Sequence, residues 1–441
     1  HEDVNEEWIS DKTRHACDGL KRQRLDRPYL RGADGKLKAV SWPEALRAAA
    51  DKLKAAGGGR VAAIAGDLCD AESMFALKGL MTALGSPHLD CRQDGAKLDA
   101  RARAGYLFNS GIAGIDRADL ILIVGADLRR EAPIVNARVR KRYLTGQLKI
   151  AAIGPRFEAT YPVEWLGAGA QTLAEVAGGR HSIVERLKAA KAPMLILGQG
   201  ALARADGAAV LALARQAAEA GGMIKDGWNG FNVLHTAAAR VAGLDLGFVP
   251  GAGGRDVAGI LQGCESGEIQ VAYLLGADEI DMKRLGRAFV IYQGHHGDAG
   301  AHRADLVLPG AAYTEKDGTY VNTEGRAQAA RAAAFPPGEA REDWKILRAL
   351  SETLGKALPF DTLGQLVQAM VKAQPLLGAI DQLQPAPWAP FGTPGAADAA
   401  PFASPIKNFY MTDPISRASS VMADCTEAAA KMRAGATGTH G

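Results

Sequence analysis

Short apolar runs, each closed by a glycine or a turn, recur along this chain and restrict its fold more than any other feature. Leu120-Ile-Leu-Ile-Val124 is the clearest of them. Segments 60–66, 119–125, 148–154, 193–198, 270–276, 288–294 and 304–308 read as strands in the same way. Alternating with or flanking them are helix-length stretches at 43–56, 71–84, 133–144, 206–220 and 342–354. A strand that is apolar throughout must be buried on both faces. That is the condition of a parallel sheet with helices on either side.

The chain also echoes itself. Leu120-Ile-Leu-Ile-Val-Gly-Ala-Asp127 and Val271-Ala-Tyr-Leu-Leu-Gly-Ala-Asp278 share one pattern. Each precedes a basic segment (138–142 and 283–287) and then a second strand ending in glycine (Gly154 and Gly294). The repeat predicts two Rossmann-like halves in a pseudo-symmetric relation. Ligands of such sheets bind at the carboxyl ends of the strands, where both Gly-Ala-Asp loops fall. The crevice between the two loops is expected to be partly filled by side chains, with Arg129, Arg130 and Glu131 as candidates. Beyond residue 331 the character changes. Segment 374–405 is rich in Ala and Pro and reads as a linker or an irregular wrap. The block Ile406-Lys-Asn-Phe-Tyr-Met-Thr-Asp413 is expected to pack back on the fold or on a partner. A helix over 416–432 and a disordered Gly/Thr tail should follow it.

Composition excludes several classes. The 441 residues are 47% hydrophobic and 23% charged, which fits a globular chain rather than a disordered one. A net charge of +3 does not support a dedicated nucleic-acid surface. The basic stretch 138–142 is therefore expected to be a solvated or subunit-facing helix face. No stretch reaches the ~18 apolar residues of a membrane helix. The five cysteines, Cys17, Cys69, Cys91, Cys264 and Cys425, are scattered, with no CxxC or CxxxC. An iron–sulfur or structural zinc site drawn from this segment is thus not expected, and the odd count fits a reducing compartment. The dense opening from His1 reads as the continuation of a longer chain.

Candidate chemistry is sparse. Gly198-Gln-Gly200-Ala-Leu-Ala203 matches G-x-G-x-x-A between a strand and a helix, and Glu219 stands near the spacing of a ribose-binding acid. Glu219 falls inside an Ala-rich helix, however, which favours a tight strand–helix turn that needs small residues. Gln293-Gly-His-His-Gly-Asp298 with His302 offers metal-ligand types. Adjacent histidines should point apart, which favours imidazoles bonded to backbone. No G-x-S-x-G and no G-x-x-x-x-G-K-[ST] occurs.

The most specific text is Pro309-Gly-Ala-Ala-Tyr-Thr-Glu-Lys316 and Tyr320-Val-Asn-Thr-Glu-Gly-Arg-Ala-Gln328. With 118–133 it resembles the molybdopterin oxidoreductase superfamily. Adding His1–Arg14, Asp18–Arg24, Tyr292–Asp298, Arg341–Lys345 and Asn408–Asp413 narrows the match. The whole chain resembles the large iron–sulfur subunits of respiratory complex I, closest to the mitochondrial and α-proteobacterial type.

The resemblance implies an α/β fold of two interleaved Rossmann-like subdomains of the molybdopterin oxidoreductase type, with a mixed C-terminal extension. It implies three units: 1–38, the end of a small cluster-adjacent domain and linker; 39–355, the molybdopterin-oxidoreductase-like domain; and 356–441, the extension. The implied role is a non-catalytic scaffold in the electron-input arm of proton-translocating NADH:quinone oxidoreductase. The 2Fe-2S and 4Fe-4S clusters are then expected in a preceding part, with molybdopterin absent. No residue is assigned a catalytic, cofactor-binding or metal-binding role. Expected partners are other peripheral-arm subunits, with no nucleic acid and no direct membrane insertion, on the cytoplasmic side of a bacterial inner membrane or the matrix side of a mitochondrial one. The competing reading is an active, formate-dehydrogenase-like molybdopterin enzyme, with Cys91 in the region of the metal-holding residue. Asn322-Thr-Glu-Gly-Arg326 is expected to be architectural, with Gly325 in a conformation costly for other residues and Glu324 and Arg326 tying the loop.

Overall fold

The computed structural model describes residues 1–435. The glycine- and threonine-rich tail expected to be disordered lies outside the described residues.

Two main sheets form. The first has seven strands in the order Leu37–Ala39, Tyr29–Arg31, Leu306–Pro309, Phe289–Gly294, Val271–Leu275, Val61–Ala65, His88–Asp90. Its last five strands run parallel, and the hairpin Tyr29–Ala39 is added antiparallel at the edge. The second sheet is parallel throughout, in the order Phe231–Val233, Pro193–Leu197, Leu120–Val124, Lys149–Ile153, Glu164–Gly167. It is inserted in the chain between His88–Asp90 and Val271–Leu275. The two halves are therefore interleaved, as the resemblance implies.

The topology explains the echo. Leu120–Val124 is the central strand of the second sheet, and Val271–Leu275 is central among the five parallel strands of the first. From each, the chain steps outward through two strands on one side. The other two strands come later in the second sheet but earlier in the first. Both sheets thus have the 3-2-1-4-5 order of a doubly wound sheet, one in a permuted chain order.

Alternation along the strands shows why they are apolar throughout. Val61, Ala63 and Ala65 face the same core as Leu120, Leu122 and Val124. Ala62 and Ile64 face a second layer on the outer side of the first sheet. Ile121 and Ile123 face a third on the outer side of the second. One continuous core thus joins the two sheets.

The helices Ala71–Leu84 and Pro133–Leu144 match their expected spans. The expected helix over 416–432 is in fact two, Pro414–Ala418 and Ser420–Gly435. Ser419 is extended between them (φ −78°, ψ 125°), and its hydroxyl bonds Asp18, so the chain bends there to reach the N-terminal segment. Strands His88–Asp90, Glu164–Gly167 and Phe231–Val233 have no counterpart in the sequence reading, because runs of three or four with polar members carry little periodicity.

The hairpin Gly318–Val321 and Ala327–Ala330 carries the Asn322–Arg326 turn. Gly325 has φ +84°, and a Cβ there would meet Arg103 Nη2 at 2.8 Å. Arg326 Nε donates to Glu324 Oε1 at 2.7 Å, and Glu324 Oε2 accepts the Ile112 N–H at 2.8 Å. The turn is thus tied to the second half of the molecule. Gly325→Val combines the left-handed backbone with a clash. It should lower stability by ~1–3 kcal/mol, read as a shifted denaturant midpoint.

Candidate functional site

In a sheet of this order, ligands sit where the outward steps diverge, at the carboxyl ends of the two central strands. Here there are two such switch points. In the first sheet it lies between Gly66 and Gly276, and in the second between Gly125 and Gly198. Gly276 and Gly125 turn the chain with near-identical positive φ, +56° and +60°. The echo therefore extends to backbone geometry.

Both switch points are closed by the chain itself. A Cβ on Gly66 would lie 1.8 Å from the Gly276 carbonyl oxygen, so these two loops are in backbone contact. A Cβ on Gly200 would lie 2.2 Å from the Ala403 carbonyl oxygen and 2.7 Å from that of Gly125. The C-terminal extension thus lies directly on the Gly198–Ala203 turn. Its neighbour Phe402 is buried, and the Arg204 guanidinium stacks 5.4 Å from the Phe402 ring. Over the first switch point the extension returns as Pro414, beside Gly276, Gly294 and Lys316. The cavity left there is about 20 Å³, room for one water at most. A pterin dinucleotide needs a cleft of ~300–1,000 Å³. The residues present do not fit that group.

Segment 374–405 is therefore a wrap rather than a linker. Phe391 packs against Phe231 and Trp388, and the Gly169 backbone bridges to Pro401. The block 406–413 is half-buried. Lys12 Nζ donates to Thr412 Oγ1 at 2.6 Å and lies 5.2 Å from the Phe409 ring. Limited proteolysis of the intact chain should spare the bonds around Phe402, Phe409 and Tyr410. Phe402→Ala, which empties a buried ring site, should cost ~3–5 kcal/mol in denaturant unfolding and expose the bonds near Ala403 to cleavage.

The sequence candidates are dispersed by the fold. The two Gly-Ala-Asp loops belong to different sheets, and each is packed on a strand end of its own sheet. Arg129 and Arg130 are largely exposed, the first paired with Glu158. Glu131 turns inward and accepts the Asp127 N–H at 2.8 Å, and burial pushes its carboxyl up to about 7. Glu219 pairs with Arg215 and Trp388 on the helix Gly207–Ala220 and does not approach the Gly198 turn. Arg138 pairs with Asp116, and Arg142 caps the Ala118 carbonyl, so this basic helix is largely satisfied within the chain.

Cys91 closes strand His88–Asp90, fully buried, where a Cβ on Gly243 would meet its Sγ at 2.7 Å. Burial pushes its thiol up to about 12, so it is neutral and inert. His295 and His296 do not diverge. Their Nδ1 atoms are 2.5 Å apart, with rings nearly perpendicular. His296 Nε2 donates to the Gly19 carbonyl at 2.8 Å, which leaves its Nδ1 to accept from His295. Burial lowers both pKa values and keeps the pair neutral. His302 is exposed on Ala299–Arg303, away from them. Among the described residues no group of three or more His, Cys, Asp or Glu could hold a metal.

Two buried polar clusters carry the electrostatics instead. In one, Lys316 lies between Asp70, at 2.6 Å, and Asp343. Burial alone would lower the ammonium's pKa, but Asp343 and Asp70 together raise it well above its ordinary value. Ser73 supports Asp70, and Gln293 donates to Asp343 at 2.9 Å while accepting the Tyr273 hydroxyl at 2.5 Å. In the other, Asp67, Gln93, Asp94, Arg240 and Glu279 converge. Sequence reasoning missed this second cluster. Its signal was that Asp67, Gln93, Asp94 and Glu279 all fall within four residues of a strand's carboxyl end; Arg240 offered none. Lys316→Ala leaves two buried carboxylates uncompensated. It should lower stability by ~3–5 kcal/mol in denaturant unfolding.

Comparison with known proteins agrees with the fold. Residues 24–353 match the family described as Molybdopterin oxidoreductase. The chain belongs to that family. Residues 382–425 match a family described for the C-terminal part of an NADH-ubiquinone oxidoreductase subunit, and residues 1–18 match "NADH-ubiquinone oxidoreductase NDSU1/NuoG-like, 4Fe-4S domain". The chain is 44% identical over 430 residues to the mitochondrial NADH dehydrogenase [ubiquinone] iron-sulfur protein 1 of Solanum tuberosum, covering 97% of this chain and 57% of that protein. It is 43% identical over 432 residues to an NADH-quinone oxidoreductase subunit of Rickettsia felis, covering 98% of this chain and 62% of that one. It thus spans about three fifths of these relatives' length. Among solved structures, the formyltransferase/hydrolase complex of Methylorubrum extorquens matches with TM-score 0.55 at 19% identity, over 75% of this chain and 99% of that one. Acetylene hydratase of Pelobacter acetylenicus matches with TM-score 0.52 at 14% identity, over 77% and 63%. Both are likenesses of fold alone.

Proposed function

We propose that this segment is a non-catalytic scaffold in the electron-input arm of proton-translocating NADH:quinone oxidoreductase, respiratory complex I. The observation that carries this reading is the closure of both switch points by the chain's own backbone and C-terminal extension. A family member built to bind its cofactor needs those crevices open; this one fills them with itself. The likeness to the potato and rickettsial proteins, through both termini, supplies the assembly.

In this reading the 2Fe-2S and 4Fe-4S clusters reside in the part of such subunits that the chain does not span. Electrons pass through that part towards quinone, and the present fold buttresses it and docks other peripheral-arm subunits. The proposed division is 1–38, 39–355 and 356–441. Among the described residues no helix is long and apolar enough to cross a membrane. The scaffold is proposed to lie on the cytoplasmic side of the bacterial inner membrane, or the matrix side in mitochondria.

Metal analysis and low-temperature EPR of the purified 441-residue chain test the reading. No stoichiometric molybdenum, tungsten or iron is expected. Stoichiometric molybdenum or tungsten with a bound pterin would establish the competing molybdopterin enzyme.

A further inference from the structure

The cluster at the carboxyl end of the seven-stranded sheet contains more unmet hydrogen-bonding capacity than any other place described above. Arg240 is wholly buried, its side chain 0% exposed. Its Nε donates to the Cys91 carbonyl at 3.2 Å, and Nη2 lies 2.9 Å from Asp94 Oδ1. Yet neither terminal nitrogen has an acceptor aligned for a hydrogen bond. Around it, Asp67 Oδ1, Gln93 Oε1, Asp94 Oδ2 and His235 Nδ1 are buried and equally unpartnered. Gln93 is only 4% exposed.

The charges in this place do not balance. Asp67 follows strand Val61–Ala65, and Asp94 follows His88–Asp90. Asp278 and Glu279 follow Val271–Leu275, and Asp298 precedes helix Ala299–Arg303. Facing these five carboxyls are Arg240 and Arg417. His235 is also present, but burial lowers its pKa to about 4 and keeps it neutral. Asp413 adds a further negative charge near Glu279. Asp278 is set apart, held by the Tyr292 hydroxyl at 2.7 Å and the Gly300 N–H at 2.8 Å. Asp298 is held by Arg417 Nε at 2.6 Å. That leaves Asp67 and Glu279 as neighbours. Gln93 lies beside both: its Nε2 donates to Glu279 Oε2 at 2.6 Å, and its Oε1, like Asp67 Oδ1, is buried without a partner.

We propose that Asp67 and Glu279, with Gln93 beside them, form a proton-binding site that shares one exchangeable proton taken from solvent. Two carboxylates in one buried site cannot both ionise cheaply. Burial and the Glu279 charge push Asp67 up to about 7, and burial raises Glu279 in turn. Glu279 is partly open to solvent, its side chain 22% exposed, which gives the proton a route. Glu279 also receives Arg417 Nη2 at 2.6 Å. Arg417 stands on Pro414–Ala418, the part of the C-terminal extension that covers the first switch point. The proton and the extension are therefore linked. Ionisation strengthens the Glu279–Arg417 pair and holds the extension down, and protonation weakens it.

Infrared difference spectra of the full chain, stepped between about pH 5 and 9, test the site. The expected signal is the carbonyl stretch of a protonated carboxyl that disappears as pH rises, with a midpoint near 7. Asp278→Asn and Glu131→Gln remove two further acids that burial pushes up to about 7, and they should leave this band in place. Asp67→Asn should abolish it. Arg417→Gln removes a positive charge beside Glu279 and should move the midpoint to higher pH. Stability gives a second readout. The folded chain holds this proton more tightly than the unfolded one, so this group lowers stability as pH rises from about 4 to about 7. Asp67→Asn should flatten that part of the profile. If Asp67→Asn does not fold, the Arg417→Gln midpoint decides. A band that persists in folded Asp67→Asn, or a midpoint unmoved in Arg417→Gln, overturns the proposal.

Discussion

One buried ammonium holds together the elements around which the rest of this fold is arranged. Lys316 enters from the loop before the hairpin Gly318–Ala330 and reaches Asp70, which caps the helix Ala71–Leu84, and Asp343, which opens the helix Asp343–Thr353. Through Gln293 and Tyr273 the same network binds two central strands. Beside it, Glu72 accepts both the backbone N–H and the hydroxyl of Thr319, at 2.8 and 2.7 Å. Burying an ion pair is no cheap source of stability, since desolvation cancels much of the attraction. Its value here is placement. The observed arrangement of hairpin, helices and sheet satisfies these partners, and it occupies the switch point of the first sheet with protein.

The same logic governs the termini. Arg24 makes a two-pronged contact with Glu315, at 2.5 and 2.6 Å, one residue from Lys316. Asp18 receives the hydroxyls of Ser419 and Ser420, and Arg417 joins Glu279 to Asp298. The first and last described segments thus meet on the carboxyl end of the sheet. A surface that in this architecture ordinarily faces a ligand has become an internal interface, and its polar residues answer to one another.

How much of this was legible in the sequence follows from the kind of signal each feature leaves. Leu120–Val124 and Val271–Leu275 announced themselves, because a doubly buried strand must be apolar at every position. Gly325 was legible because a turn tied by Asn322 and Arg326 needs a left-handed residue at that point. The permuted strand order was not, since pairing between Val61 and Val271 is invisible to any local pattern. Nor were the partners of Arg240 and Lys316. A lone basic residue in sequence looks the same whether it faces water or is wholly buried. Cys91, His295 and Gly200 drew attention as chemically suggestive residue types, and each is explained by packing: a thiol against Gly243, an imidazole pair, and a glycine under Ala403. The resemblance to a family reached the fold, but not the way the crevices are closed.

The inserted sheet also sets an order of events during synthesis. Strand Val61–Ala65 pairs with Val271–Leu275, about 200 residues later in the chain. At ~5–20 residues per second, the ribosome needs ~10–40 s to deliver that partner. All five strands of the second sheet, from Leu120 to Val233, leave the ribosome within this interval. The second half can therefore assemble as a complete unit while the apolar faces of Val61–Ala65 and Ala71–Leu84 still wait for theirs. The nascent chain must keep that early segment soluble until its neighbours emerge.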